Sequence, residues 1–135
     1  MMASLRLCQQ IFNEWYNRDY RKVRLVMIVS VTGLKLKNKW AWFHFWRLAI
    51  PSFRQAQKAK GNLFCETKTI NGVQHTLTAW QSRKHLKHYV LSGAHRKAMG
   101  HFSKIATGAT ITFESEEMPT WQDAIGRWEQ DAKWY

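Results

Sequence analysis

Acidic residues are what this chain most lacks. From Tyr20 to Phe113 a single acid, Glu66, stands against seventeen lysines and arginines, and the 135-residue chain carries a net charge of +12. The histidines from 85 to 101 therefore have no carboxylate near them in the sequence. Cysteine is scarce too: Cys8 and Cys65 lie far apart and give no metal-type spacing, which fits a reduced compartment with both as small hydrophobes. The longest apolar run, Trp40 to Ile50, is interrupted by His44 and Arg47. It falls far short of the roughly 20 residues a membrane span needs. The N-terminus has neither a long apolar core nor a small-residue cleavage site, so no secretory signal is expected and the expected location is cytoplasmic. A Gly-rich phosphate loop, a GxSxG elbow and a Cys–His pairing are all missing.

What is present is aromatic and basic. Hydrophobic residues make up 45% of the chain, enough for one domain with a real core, and eight Trp and seven Phe require that core or a pocket to be rich in rings. The charge is uneven: from Glu114 onward six acids face two bases. A basic field of this kind suits a solvated surface, and it also attracts nucleic acid, an anionic membrane surface or acidic ligands.

Residues 1–23 read as an amphipathic N-terminal extension, with Leu5, Cys8, Ile11, Phe12, Trp15, Tyr16 and Tyr20 at helical spacing. The main domain is expected over 24–135. Leu25 to Leu34 is a β-branched run with the composition of a buried strand. Trp40 to Lys58 reads as a helix with Trp42, Phe43, Trp46, Ile50, Phe53 and Ala56 on one side, kinked or divided at Pro51. Leu63–Ile70 and Val73–Trp80 are strands joined by Asn71-Gly72, the strongest short hairpin signal. Ser82 caps a helix that breaks at Ser92-Gly93 and resumes over 94–104. Thr107 to Glu116 is a fourth strand, and Thr120 caps a terminal helix with Trp121, Ile125 and Trp128 on one face.

The resulting order, β-α-β-β-α-β with a helix at each end, is α+β: a ferredoxin-like four-stranded antiparallel sheet with two helices on one face. Both parities of the first strand are apolar, so the opposite sheet face must be covered, and a second copy of the chain is the expected cover.

One stretch carries a resemblance. Trp80 at a strand end, Ser82-Arg-Lys opening a helix, and then Ser92-Gly-Ala-His-Arg look like the second half of the dimeric α/β-barrel superfamily, closest to the antibiotic-biosynthesis-monooxygenase-like proteins, over about residues 25–117. The resemblance implies a homodimer whose sheets pack into a barrel, with a pocket between each sheet and its helices. It also implies relatives that include cofactor-independent oxygenases of aromatic quinols and haem-degrading oxygenases. The Asn-Trp-His set of the haem-degrading branch is not completed here; Asn62 is the one amide to consider. No cofactor is predicted, with haem or a flavin left open as bound organic groups.

Among single residues, His95 shares a helix side with Ala98, Met99 and Phe102 at spacings of three, four and seven. It reads either as a pocket imidazole that orients or deprotonates a phenol-like substrate, or as a helix-start histidine bonded to backbone. His75 has the strand parity of Val73, Leu77 and Ala79; His44 sits among Trp40, Phe43 and Trp46. His85, His88 and His101 are expected to face solvent. The four histidines from 85 to 101, at spacings of three, seven and six, lack the i, i+4 pair of a helical zinc site, so no metal is predicted. Glu66 is a salt-bridge partner or a pocket base.

The reading that emerges is a monooxygenase-like protein acting on or binding a small aromatic or polycyclic molecule. His95 is the candidate catalytic group, with Trp80, His75, His44, Trp42, Trp46, Phe102 and Glu66 as ligand-binding candidates and an Arg or Lys at the rim. Alternatives are a non-catalytic carrier or sensor of such a ligand, and a basic nucleic-acid or membrane-surface binder. RNA-recognition domains share the strand order, but their third strand carries stacking aromatics, where this chain has Val73-Gln-His-Thr-Leu-Thr-Ala-Trp80.

Overall fold

The computed structural model describes Gln10 and residues 25–134. The helix expected over 1–23 lies, Gln10 apart, outside them. Strand β1 (Met27–Leu36) leads through a basic turn to helix α1 (Ala41–Lys58). Asn38 Oδ1 accepts from the Ala41 N–H at 2.8 Å and satisfies one orphan donor of the first turn. Pro51 does not divide α1, which runs on as one helix for 18 residues. Strands β2 (Asn62–Ile70) and β3 (Val73–Trp80) form the expected hairpin. Asn71 and Gly72 both have positive φ, +50° and +76°, as a type I′ turn demands. Helices α2 (Arg83–Val90) and α3 (Gly93–Ile105), strand β4 (Ala106–Ser115), helix α4 (Trp121–Asp131) and the short strand β5 (Lys133–Trp134) complete the chain.

The sheet is antiparallel in the order β2-β3-β1-β4-β5. This is the ferredoxin-like arrangement, with β5 added at one edge. One face carries α1, α2 and α3. The other carries α4, whose Ala124 and Trp128 pack with Val29, Val31, Leu77, Ala79 and Ala109 in one apolar cluster. Thr120 caps α4 as expected, accepting from the Asp123 N–H at 3.2 Å. Trp128 Nε1–H then donates to the Ala109 carbonyl at 2.8 Å.

Gly33 makes that approach feasible. A Cβ there would run into Trp128 Cζ2 and come within 2.9 Å of His75 Cε1. The sheet face expected to meet a second copy thus carries the chain's own C-terminal helix. Val29 and Val31 beneath it are fully buried.

Candidate functional site

Period-2 alternation sorts each strand into two faces, and the helix-side face is unusually polar. Register places Thr67, Thr76, Thr32 and Thr110 in one row across β2, β3, β1 and β4. The next row is Cys65, Thr78, Ser30 and Thr112. The hydroxyls bond along the rows: Thr32 and Thr110 Oγ1 lie 3.0 Å apart, and Thr112 donates to Ser30 Oγ at 3.4 Å. All of these residues but Thr112 line the floor of a cavity of about 720 Å³. Phe45, Trp46, Ile50 and Phe53 of α1, Tyr89 of α2, and His95, Met99 and Phe102 of α3 line the rest. Arg54, on the exposed side of α1, is the cationic residue at its rim.

His95 is placed by three contacts. Its backbone N–H donates to Gln55 Oε1 at 2.8 Å, and its ring packs on Tyr89 at 4.6 Å between centroids. Its Nδ1 lies 3.0 Å from the Val90 carbonyl. A carbonyl only accepts, so Nδ1 carries the proton and Nε2 holds a lone pair. Burial lowers the imidazole below its ordinary value, opposed by the Val90 bond. His95 is therefore bonded to backbone and lines the cavity as well; the two readings of this residue are compatible.

Gln55 carries no signal of its role in the sequence. Its amide also donates to the Ser92 carbonyl at 2.9 Å, so one α1 side chain bridges both sides of the α2–α3 break. Gly93, with φ +56°, stands against that amide. Tyr89 is held from below. Its hydroxyl donates to the Ser52 carbonyl at 3.1 Å and lies 3.2 Å from Ser52 Oγ. Burial pushes its phenol up to about 12, so this ring is a neutral wall and not a base.

The remaining candidates divide. Trp46 and Phe102 line the cavity. Trp46 Nε1 is buried and has no hydrogen-bond partner among the described residues. Trp80 is fully buried behind the wall, stacked on Tyr89 at 5.0 Å and donating to Thr78 Oγ1 at 3.0 Å; its partners reach the cavity and it does not. Trp42 and His44 depart from expectation, both lying on the exposed side of α1. The inward residue is Phe45, 4% exposed, where Phe43 was expected.

His75 follows its parity to the other face of the sheet, with its ring edge-on to Trp128 at 4.7 Å. Burial lowers it too, against the raising effects of a backbone bond to Thr32 and the charge of Glu129. Glu66 shares that face and accepts from Trp121 Nε1 at 3.2 Å. His44, His75, Glu66 and His95 therefore do not form one set. His88 and His101 face solvent, whereas His85 is half-buried, with its Nδ1 2.8 Å from Ser82 Oγ. The Asn62 amide donates to the Phe64 carbonyl at 3.1 Å and takes no part in the cavity. Among the described residues no group of His, Cys, Asp and Glu could hold a metal ion.

Several solved structures share this architecture. SnoaB, a cofactor-independent oxygenase from Streptomyces nogalater, superposes with a TM-score of 0.58 at 7% identity, over 68% of this chain and 95% of its own. The chain has the ferredoxin-like fold of the antibiotic-biosynthesis-monooxygenase-like proteins. A provisionally named antibiotic biosynthesis monooxygenase from Deinococcus radiodurans gives 0.60 at 11% identity, over 69% of this chain and 96% of its own. A Bacteroides thetaiotaomicron protein of unknown function, described as a possible oxidoreductase, gives 0.59 at 17%, over 67% and 99%. No family profile and no curated protein matches the sequence. At these identities the likeness establishes the fold and leaves activity to the site.

Proposed function

We propose that this chain is a monooxygenase-like protein that holds a small aromatic or polycyclic molecule between the helices and the hydroxyl-bearing face of its sheet. The observation that carries the reading is His95 on the wall of this cavity, its Nε2 left with a lone pair by the Nδ1–Val90 bond. A flat molecule with a phenolic O–H can donate to that lone pair. Apolar walls from Phe45, Phe53 and Phe102 bury its rings, and the threonine rows meet further oxygens.

Deprotonation by Nε2 would give an electron-rich phenolate able to pass electrons to O2 directly. With a naphthoquinol the balance is quinol plus O2 giving hydroxynaphthoquinone plus water: one oxygen atom enters the ring and the other leaves as water. Burial keeps His95 neutral, and so able to act as a base, at neutral pH. The mobile electrons come from the substrate, and Arg54 at the rim supplies attraction for an acidic substituent.

The test is oxygen uptake with 1,4-dihydroxynaphthalene, measured above the spontaneous rate, together with hydroxynaphthoquinone formation. The reading expects both from the native chain and a loss of about a hundredfold or more in His95→Ala, the scale of one general base. Binding without added uptake in either protein would leave a carrier of the same ligand. Uptake equal in the two would remove His95 from the chemistry.

A further inference from the structure

Three aromatic side chains at the start of α1 stand in solvent: Trp40 is 90% exposed, Phe43 70% and Trp42 56%. Trp80, Trp128, Phe45, Phe64 and Phe102, by contrast, are all at 8% or less, and Trp134 at 59% is the other strongly exposed ring among the described residues. Single exposed apolar residues are ordinary, but three large rings exposed within four positions of one helix start are not.

The surroundings of the patch are cationic. Lys35, Lys37 and Lys39 lead into it and Arg47 follows one turn on, all exposed. Glu66, the one acid between Tyr20 and Phe113, lies on the opposite sheet face bonded to Trp121. The patch is also continuous with the cavity. Trp42 meets Trp46 edge-on at 5.9 Å, and the cavity-lining Ile50 and Met99 are 44% and 38% exposed.

We propose that this end of α1 docks the protein on an anionic phospholipid bilayer, with Trp40, Trp42 and Phe43 seated at the headgroup boundary and the lysines against lipid charge. Trp and Phe interleaved with Lys and Arg is the composition that binds such a surface without crossing it. No helix among the described residues is long and apolar enough to cross. Nucleic acid fits less well, because RNA-reading domains of this strand order stack bases on an open sheet, and here helices cover both faces. A second copy fits less well again, since a two-fold contact would bring each lysine cluster against its twin. Docking in this pose sets the cavity mouth beside the bilayer, a route for an apolar ligand that rests on the function proposed above; the docking itself does not.

The experiment is co-sedimentation of the full chain with vesicles of phosphatidylcholine and phosphatidylserine at 3:1, and with phosphatidylcholine alone, in 0.1 M salt. Binding is expected to the first and to be much weaker to the second. Trp40→Ala/Phe43→Ala should lower partitioning about tenfold, and Lys39→Glu about fivefold or more. All three side chains are solvent-exposed, so unchanged thermal unfolding is expected; Trp40→Ala alone serves if the double variant unfolds. Vesicle binding equal to the native chain in the aromatic variants overturns the proposal. So does preference for a single-stranded RNA oligomer over the vesicles when that preference is lost in those variants, or a native dimer that they convert to monomer.

Discussion

Gln55 holds the backbone of His95: its Oε1 accepts the His95 N–H at 2.8 Å while its amide donates to the Ser92 carbonyl at 2.9 Å. One side chain of α1 thereby serves as the N-terminal cap of α3, a role that Ser92 does not fill because its own hydroxyl donates back to the His88 carbonyl. Gln55→Ala leaves a helix donor and a loop carbonyl without their partner and is expected to cost about 1–3 kcal/mol in urea unfolding. Gln55→Glu keeps the acceptor for His95 and should recover part of that loss. If the two variants unfold alike, Gln55 is not acting as the cap.

Trp46 is expected to behave in the opposite way. Its buried N–H has no partner among the described residues, so Trp46→Phe removes an orphan donor and should cost less than about 1.5 kcal/mol in urea unfolding. A larger loss would show that the indole N–H has a partner in solution.

Acid should destabilise the fold through two histidines. Burial lowers both His75 and His95 from the ordinary value of 6.5. As pH falls through 6.5 the unfolded chain takes up these protons before the folded one does, so the contribution is full above 6.5 and is lost on the way down to the folded values. The slope approaches about 1.4 kcal/mol per pH unit for each group. Urea midpoints taken from pH 7.5 to 5.5 should fall, and His95→Ala should flatten the fall. A stability that rises over that window would contradict the burial of these rings.

Gly33→Ala puts a methyl group into the Trp128 ring and close to His75. Over-packing of this kind costs about 1–3 kcal/mol, and the near-ultraviolet circular dichroism of Trp128 should change with it. A neutral substitution would mean that α4 is not seated over β1.

How much of this was legible beforehand varies by residue. The Asn71-Gly72 hairpin, the Ser92-Gly93 break and the Thr120 cap are local signals, each set by one or two residues, and they carry the strand order. Helical phasing likewise turned Ala98 and Phe102 inward. The face of α1 is the exception: Trp42 and Phe43 look apolar in sequence, yet Phe45 is the residue that fits under Phe102, at 5.8 Å between rings. The threonine rows needed register between strands distant in the chain. The alternation Ser30-Val-Thr32 and Thr76-Leu-Thr78 was visible, but not that the two pairs lie side by side. Gln55 could not be found from sequence, because its partners lie some forty residues away.

The central claim is that His95 stands in the cavity as a neutral base with its lone pair on Nε2. Long-range ¹H–¹⁵N correlation of the ring nitrogens at pH 7 reads this directly. The expected result is a protonated Nδ1 and an unprotonated Nε2 in the free protein, with the Nε2 resonance moving on addition of 1,4-dihydroxynaphthalene. A ring protonated on Nε2, or a doubly protonated imidazolium, with resonances that ignore the ligand, would contradict it.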